Sequence, residues 1–319
     1  MRRDRTRAAV VMEGFVPLSD AWGDARVGPA EARRILRCEE ARLDRLCELG
    51  LPCRGEGGER TFGECDVMNA GLAAGGGRSV PELARRRTLG FAAGEPGEWT
   101  AGRAWTVIAT ASCGCGETRP QAWSVPEACP ELHGGAVDLV SVAEKGEGVE
   151  IRLELRTRGR QGRPREPAVE EAMEALFAEF DAGSLRFHYL PPALRRDPAS
   201  AVAAGVVDCV ALTVHLAHRL RRHGLPVTTH RGHLLSTIGV EHAWLAAGEL
   251  PGAVPVDPML AVLTRGTAVA NPLFHRFCVG SVSNRILPWD RSAEEQVFSH
   301  ACGRGAGSPP RVTVSARAA

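Results

Sequence analysis

The sequence has almost no lysine, no surplus of either charge and no long apolar run. Lys145 is the only lysine, which indicates the codon bias of a GC-rich bacterial genome rather than a function. The 39 basic residues are balanced by 38 acidic ones, so no overall field favours nucleic acid or an anionic membrane. No stretch approaches the ~20 apolar residues of a transmembrane helix. We therefore expect neither nucleic acid nor a membrane among the partners.

The first residues do not have the pattern of a secretory signal. Met1–Arg5 is basic, but only the short apolar run Ala8–Met12 follows it, whereas a signal peptide carries roughly 7–15 apolar residues there. The 10 cysteines are scattered along the chain, and without a signal they indicate reduced thiols rather than a disulfide framework. We expect a cytoplasmic protein.

Hydrophobic patterning predicts an α+β protein. Apolar residues recur at helical spacing over 29–50 and 168–181, and Gly148–Leu155 alternates apolar and charged residues like a half-buried strand. Ala104–Ala111 and Ala136–Ala143 are also predicted strands, and the second of these would form a hairpin with Gly148–Leu155.

The arginine-rich segment 156–166, interrupted by glycine and proline, is the predicted domain boundary. We assign residues 1–160 to an N-terminal α+β region that selects the substrate, and residues 161–302 to a catalytic domain. Residues 303–319 are rich in Gly, Ser, Pro and Arg and are expected to form a disordered tail.

A cysteine stands at the predicted start of an amphipathic helix. Residues 209–223 separate an apolar face from a face of His and Arg, and Gly224 followed by Pro226 ends the helix. Asp208 is a good N-cap, which makes Cys209 the first helical residue. A helix start favours a thiolate and offers N–H donors to an oxyanion. Cys209 is therefore either a nucleophile or a small buried hydrophobe.

A histidine and an aspartate follow in predicted strands. Val227–His230 and Leu234–Val240 have strand patterns, His242-Ala243-Trp244 continues in extended form, and a proline after Asp257 disfavours helical geometry there. Singly, His242 would more often be a core histidine and Asp257 a turn former. A thiol, however, needs a base, and the base works best when a third group fixes its tautomer. The order Cys, His, Asp therefore predicts acyl transfer.

Four segments in this order resemble the transglutaminase-like cysteine enzymes, a papain-related superfamily: Gly205–Cys209 with its apolar helix, Gly224–Val227, Glu241–Trp244 and Pro255–Pro258. The resemblance implies a papain-like core in which the helix that bears the cysteine packs on an antiparallel sheet. It also implies that Cys209 is acylated, that His242 is the general base and acid, and that Asp257 orients the histidine. Trp244 and His230 are further candidates for substrate binding.

The expected function is a thiol acyltransferase that forms an amide through a Cys-linked thioester. The acyl donor would be a peptide, an amide or a carrier-protein thioester, and the acceptor an amine. The resemblance favours an amine because some bacterial relatives in antibiotic pathways join an amine to a thioester-bound acyl group without ATP. With water as the acceptor, the same three residues would make a peptidase or amidase. The third alternative is a catalytically silent binding module.

Other chemistry has weaker support in the sequence. His215 with His218 and His230 with His233 are spaced three apart, but no set of four paired ligands stands out, so no metal site is expected. Cys113-Gly114-Cys115 is too tight for a paired ligand set and is interpreted as structural thiols at a glycine turn. The run Gly75–Gly77 lacks the lysine and preceding strand of a phosphate loop. We expect no cofactor.

Overall fold

The computed structural model describes residues 12–24, 26–113, 122–129, 136–145, 148–162, 166–236, 239–249, 252–265, 267–301 and 311–318. Its helices are α1 Ser19–Trp22, α2 Pro29–Leu36, α3 Glu40–Glu48, α4 Glu64–Ala73, α5 Val80–Leu89, α6 Pro96–Thr100, α7 Pro167–Asp181, α8 Pro192–Arg195, α9 Pro198–Ala203, α10 Cys209–Arg222, α11 Pro258–Thr264 and α12 Phe274–Phe277. Its strands are β1 Arg26–Val27, β2 Phe62–Gly63, β3 Arg103–Ser112, β4 Ala122–Ser124, β5 Ala136–Lys145, β6 Gly148–Thr157, β7 Arg186–Phe187, β8 Val206–Val207, β9 Val227–Leu234, β10 Val240–Ala247, β11 Val254–Val256, β12 Ile286–Trp289, β13 Ser299–Ala301 and β14 Arg311–Ala318.

The two larger sheets are antiparallel. One has the strand order β11-β10-β9-β12 and the other β14-β3-β6-β5. Strands β3, β5 and β6 lie where the sequence predicts them. Strands β3 and β6 bury alternate residues on one face of the sheet, whereas Leu139, Val140 and Val142 of β5 are exposed. The protein is thus a mixed α+β fold with antiparallel sheets, and the predicted fold class is confirmed at that level.

The chain divides into two compact units that do not follow the predicted boundary at residue 160. One unit comprises residues 1–86 and 185–208, and the other comprises residues 87–184 and 209–319. In the first unit, the Asn69 side chain exchanges two hydrogen bonds with the backbone of Tyr189, of 2.9 and 2.7 Å. This pairing attaches the later segment of that unit to α4.

The second unit is built around a core shared by its two large sheets. From β3 and β6, Trp105, Val107, Ile151 and Leu153 are buried in one cluster, which also contains Leu287 and Trp289 of β12. Helix α10 packs on β9 and β10, and it also contacts α7 and α11. The helix that begins at Cys209 therefore lies on an antiparallel sheet, as the sequence predicts.

Three sequence predictions differ from the structure. The helix expected over 29–50 is split into α2 and α3, because Arg37 takes a left-handed conformation, with φ 49°, and ends the first of them. Strand β9 runs unbroken from Val227 to Leu234 and β10 begins at Val240, so Leu235 and Ser236, within the predicted strand Leu234–Val240, belong to neither strand.

The third difference concerns the tail, expected to be disordered over 303–319. Residues 311–318 form β14, which pairs with β3 along its whole length. Val314 and Ala316 of this strand are buried in the core of the second unit. Apolar and polar residues alternate over 311–318 in the sequence. The strand forms because β3, far away in sequence, provides its hydrogen-bonding partners.

Replacing Val314 with aspartate tests whether β14 belongs to this core. Val314 is 4% exposed, so Val314→Asp buries a carboxyl group and should lower the free energy of unfolding by about 3 kcal/mol or more. Ser315→Asp, on the exposed face of the same strand, is the matched control and should change it little. Urea unfolding of both full-length variants measures the difference, and equal stabilities would contradict the burial of β14.

Candidate active site

Cys209 is the first residue of α10, where sequence analysis places it. The side chain is half-buried, and its Sγ lies 3.7 Å from the carbonyl oxygen of Glu241. Below it, Val210 and Val214 of the helix pack against Ala243 of β10. The first N–H groups of a helix have no acceptor within it, so the thiol stands beside donors suited to an oxyanion.

His242 and Asp257 are joined by a short buried hydrogen bond. The distance from His242 Nε2 to Asp257 Oδ2 is 2.6 Å, and the residues are 4% and 6% exposed. His242 lies on β10 and Asp257 directly follows β11, and antiparallel pairing of Leu245 with Val256 brings the two strands together. The predicted proximity of the two residues is therefore present in the structure.

Asp257 is held by contacts on both sides. Its second carboxylate oxygen accepts a 2.9 Å hydrogen bond from the Leu260 amide and caps α11. Its own backbone N–H donates to the carbonyl of Cys278 at 2.9 Å. Asp257 thus follows the end of β11, and its carboxylate both caps α11 and binds His242. These contacts fix the orientation of the carboxylate.

The electrostatics of the pair favour a protonated imidazole. Burial alone would lower the pKa of His242, but the charge and hydrogen bond of Asp257, with a hydrogen bond to Cys209, raise that pKa to about 10. Because Nε2 is bound to Asp257, Nδ1 is the nitrogen left to exchange a proton with the thiol. An imidazolium in this position stabilises a neighbouring thiolate.

The structure thus brings Cys209, His242 and Asp257 together within one compact unit. A thiol, a base and an orienting carboxylate in contact can carry out acyl transfer. Their catalytic roles remain predictions from residue type and position.

Trp244 is enclosed behind the histidine and does not line an open site. It is 3% exposed and borders a small cavity walled by Phe274 and Phe277. Its ring stacks between the imidazoles of His242 and His230, with centroid distances of 6.2 and 5.8 Å. The substrate-binding roles of Trp244 and His230 stay predictions: Trp244 is buried, whereas His230 is half-exposed.

A glycine makes room for this stack. Gly232 of β9 is paired with His242 in the sheet register. A Cβ atom at Gly232 would lie 2.1 Å from the carbonyl oxygen of Leu287 and 2.9 Å from the Trp244 ring. Only a residue without a side chain leaves both of these contacts undisturbed.

An ion pair between Arg231 and Glu241, which sequence analysis did not identify, holds the strand segment beside Cys209. Arg231 is 5% exposed, and its guanidinium lies 3.0 Å from the Glu241 carboxylate. It also donates to the carbonyls of Ala293, at 3.0 Å, and of Glu295. Ala293 packs in the same small cluster as the start of α10. No pattern in the sequence marks Arg231, because its neighbours in β9 are His230 and Gly232.

The structure also describes Cys113, the first cysteine of the Cys113-Gly114-Cys115 motif. Cys113 is disulfide-bonded, so the expectation of a thiol there is wrong, while Cys209 and Cys278 are free. Cys115 lies outside the described residues. Within the part of the chain that the structure describes, no group of three or more His, Cys, Asp or Glu side chains is arranged to hold a metal ion. In those same residues, no helix is long and apolar enough to cross a membrane.

Comparison with known proteins gives one distant structural neighbour. No protein-family model matches the chain, and no curated protein matches it. Among solved structures, it is similar to a protein from Cytophaga hutchinsonii that is described provisionally as a cysteine protease. The identity is 8%, the TM-score 0.34, and the match covers 69% of this chain and 91% of the other. A TM-score of 0.34 does not establish a shared fold, so we base the proposal below on the site itself.

Replacing Asp257 with asparagine should lower the pKa of His242 by more than one unit. The pKa of His242 in the folded protein, about 10, is above its ordinary value of 6.5. The ion pair with Asp257 therefore stabilises the fold fully below pH 6.5, and this stabilisation is lost as the pH rises towards 10. In Asp257→Asn the carboxylate is gone, and burial then favours the neutral ring. Histidine ring NMR signals across a pH titration measure the shift, and an unchanged pKa would contradict this account.

Adding a methyl group at Gly232 should disturb the site through Trp244. Gly232→Ala should cost about 1–3 kcal/mol of stability, because the backbone of β12 and the indole must both move. Gly97→Ala, where a Cβ atom would meet nothing within 4 Å in α6, is the matched control and should be neutral or stabilising. Urea unfolding compares the two, and equal effects would show that Gly232 is not a packing constraint.

Proposed function

We propose that the protein is a cysteine-dependent acyl-transfer enzyme with a papain-like, transglutaminase-like core. The observation that supports this most strongly is the arrangement of His242, bonded at 2.6 Å to a buried carboxylate and in contact with a thiol at a helix start. A structural role would account for the buried pair of His242 and Asp257, because each is costly to bury without a partner, but it would not require a thiol in contact with the imidazole.

In the proposed reaction, the Cys209 sulfur attacks the carbonyl carbon of an amide or thioester. The thiol proton is already held on Nδ1 of His242, as the imidazolium that the raised pKa favours, and the carbonyl oxygen becomes an oxyanion near the free N–H groups at the start of α10. His242 then returns the proton to the departing amine or thiol. A thioester between the acyl group and Cys209 remains.

An amine acceptor completes the reaction as we propose it. The amine nitrogen attacks the thioester carbon while His242 takes its proton, the C–S bond breaks, and Cys209 regains a proton. The product is an amide. The resemblance to transglutaminase-like enzymes favours an amine over water, and a carrier-protein thioester or a peptide is the donor class we propose. Water in place of the amine would give hydrolysis with the same three residues.

The activated thiol can be tested by brief treatment with iodoacetamide and intact-protein mass. We expect one fast alkylation that disappears in Cys209→Ala and slows in His242→Ala. Cys53→Ala, which removes an exposed free cysteine, is the matched control and should keep the fast site. Reactivity at Cys209 no faster than that of an ordinary thiol, with a pKa of about 8.5, would favour the silent binding module.

The acyl transfer itself can be tested with simple acyl thioesters and a panel of primary amines. We expect an acyl adduct on Cys209 without amine, and an amide product when amine is added. His242→Ala should slow adduct formation on the order of 10²–10⁴-fold, the usual contribution of a general base. Rapid hydrolysis of peptides with no amide product would overturn amine transfer and leave the hydrolase.

A further inference from the structure

The unit that contains Cys209 also has a cavity of about 290 Å³ that is lined by three arginines. Arg87 is exposed at its edge, whereas Arg103 and Arg285 are half-buried. Glu98 contributes one exposed carboxylate to the lining. Among the described residues, however, no carboxylate forms an ion pair with any of the three guanidiniums. The cavity therefore has an excess of positive charge.

Arg285 is fixed in place within this cavity. Its guanidinium carbon lies 5.4 Å from the ring centroids of both Phe91 and Trp105. Its Nη1 donates to the carbonyl of Leu235 at 3.4 Å. Burial and the neighbouring guanidinium of Arg103 lower the pKa of Arg285. Two like charges held together in a half-buried position are unfavourable unless an anion joins them.

Three buried polar atoms of the lining residues have no hydrogen-bond partner: Arg103 Nε, Trp99 Nε1 and Asn284 Oδ1. Native structures rarely leave such atoms unpaired. The orientation of the Asn284 amide is fixed, because its Nδ2 donates to the carbonyls of Glu98 and Ala101 at 2.8 and 2.6 Å. Asn284 is 1% exposed, so its oxygen is a buried acceptor that requires a donor.

We propose that this cavity binds a small organic phosphate that carries an O–H or N–H donor next to its phosphate group. Guanidiniums bind phosphate oxygens through paired hydrogen bonds, and a dianion matches several positive charges better than a carboxylate does. The donor on the ligand would satisfy Asn284. The volume, near the lower end of the range for small-molecule sites, exceeds what a phosphate ion alone would fill. The inference is independent of the proposed acyl transfer.

Titration of the full-length protein with three probes tests the ligand class. Glycerol 1-phosphate carries a phosphate and hydroxyls, glycerate carries a carboxylate and hydroxyls, and inorganic phosphate is the free anion. Calorimetry should give the tightest binding for glycerol 1-phosphate, at least several-fold weaker binding for inorganic phosphate, and the weakest for glycerate. Equal or tighter binding of glycerate or of inorganic phosphate would overturn the assignment, as would no binding at millimolar concentration.

Variants locate the site. Arg103→Gln and Arg285→Gln should each weaken glycerol 1-phosphate binding at least tenfold, whereas Arg152→Gln, an exposed arginine of β6 in the same unit, should not. If a cavity variant fails to fold, arginine Nε NMR signals of the wild-type protein provide the measurement. Shifts of two half-buried arginine signals on titration support the site, and shifts spread over exposed arginines overturn it.

Discussion

The buried bond between His242 and Asp257 is the interaction on which the rest of the candidate active site depends. Neither charge would be stable alone at 4% and 6% exposure, and removal of one partner from a buried pair typically costs about 3–5 kcal/mol. The bond also connects three elements, because Asp257 ends β11 and caps α11 while His242 lies on β10. The packing of these three elements therefore places the imidazole of His242 against the carboxylate of Asp257.

Packing and charge pairing restrict which residues can occupy the strands around this bond. Gly232 must be small because β12 and Trp244 come close on either side. Arg231, next to it on β9, must keep its charge partner, Glu241, whose carbonyl also contacts the Cys209 thiol. One face of the two central strands thus holds His242 by stacking, and the other holds the segment beside Cys209 by an ion pair.

The sequence predicts those features whose pattern lies within one short segment, and it does not predict those that depend on contacts between distant segments. Cys209 was placed correctly because a capping aspartate and an apolar face are adjacent in sequence, and β6 because its alternation is complete within ten residues. The split at Arg37 was missed because a left-handed arginine has no composition signal. The burial of Trp244 could not be predicted either, since it depends on α12, which lies about thirty residues further along the chain.

The arginine cavity joins residues from both sides of the predicted boundary at residue 160. Arg103 comes from β3 and Arg285 from the residue before β12, and the two meet because β3 and β12 share a core. The link is direct: Thr157 of β6, which is paired with Arg103 of β3, donates its hydroxyl to the Asn284 carbonyl. Residues 87–157 therefore belong with the strands that carry His242, while residues 1–86 form a separate unit. Residues 1–86 and 87–160 accordingly lie in different units, and Cys209 lies in the same unit as residues 87–160.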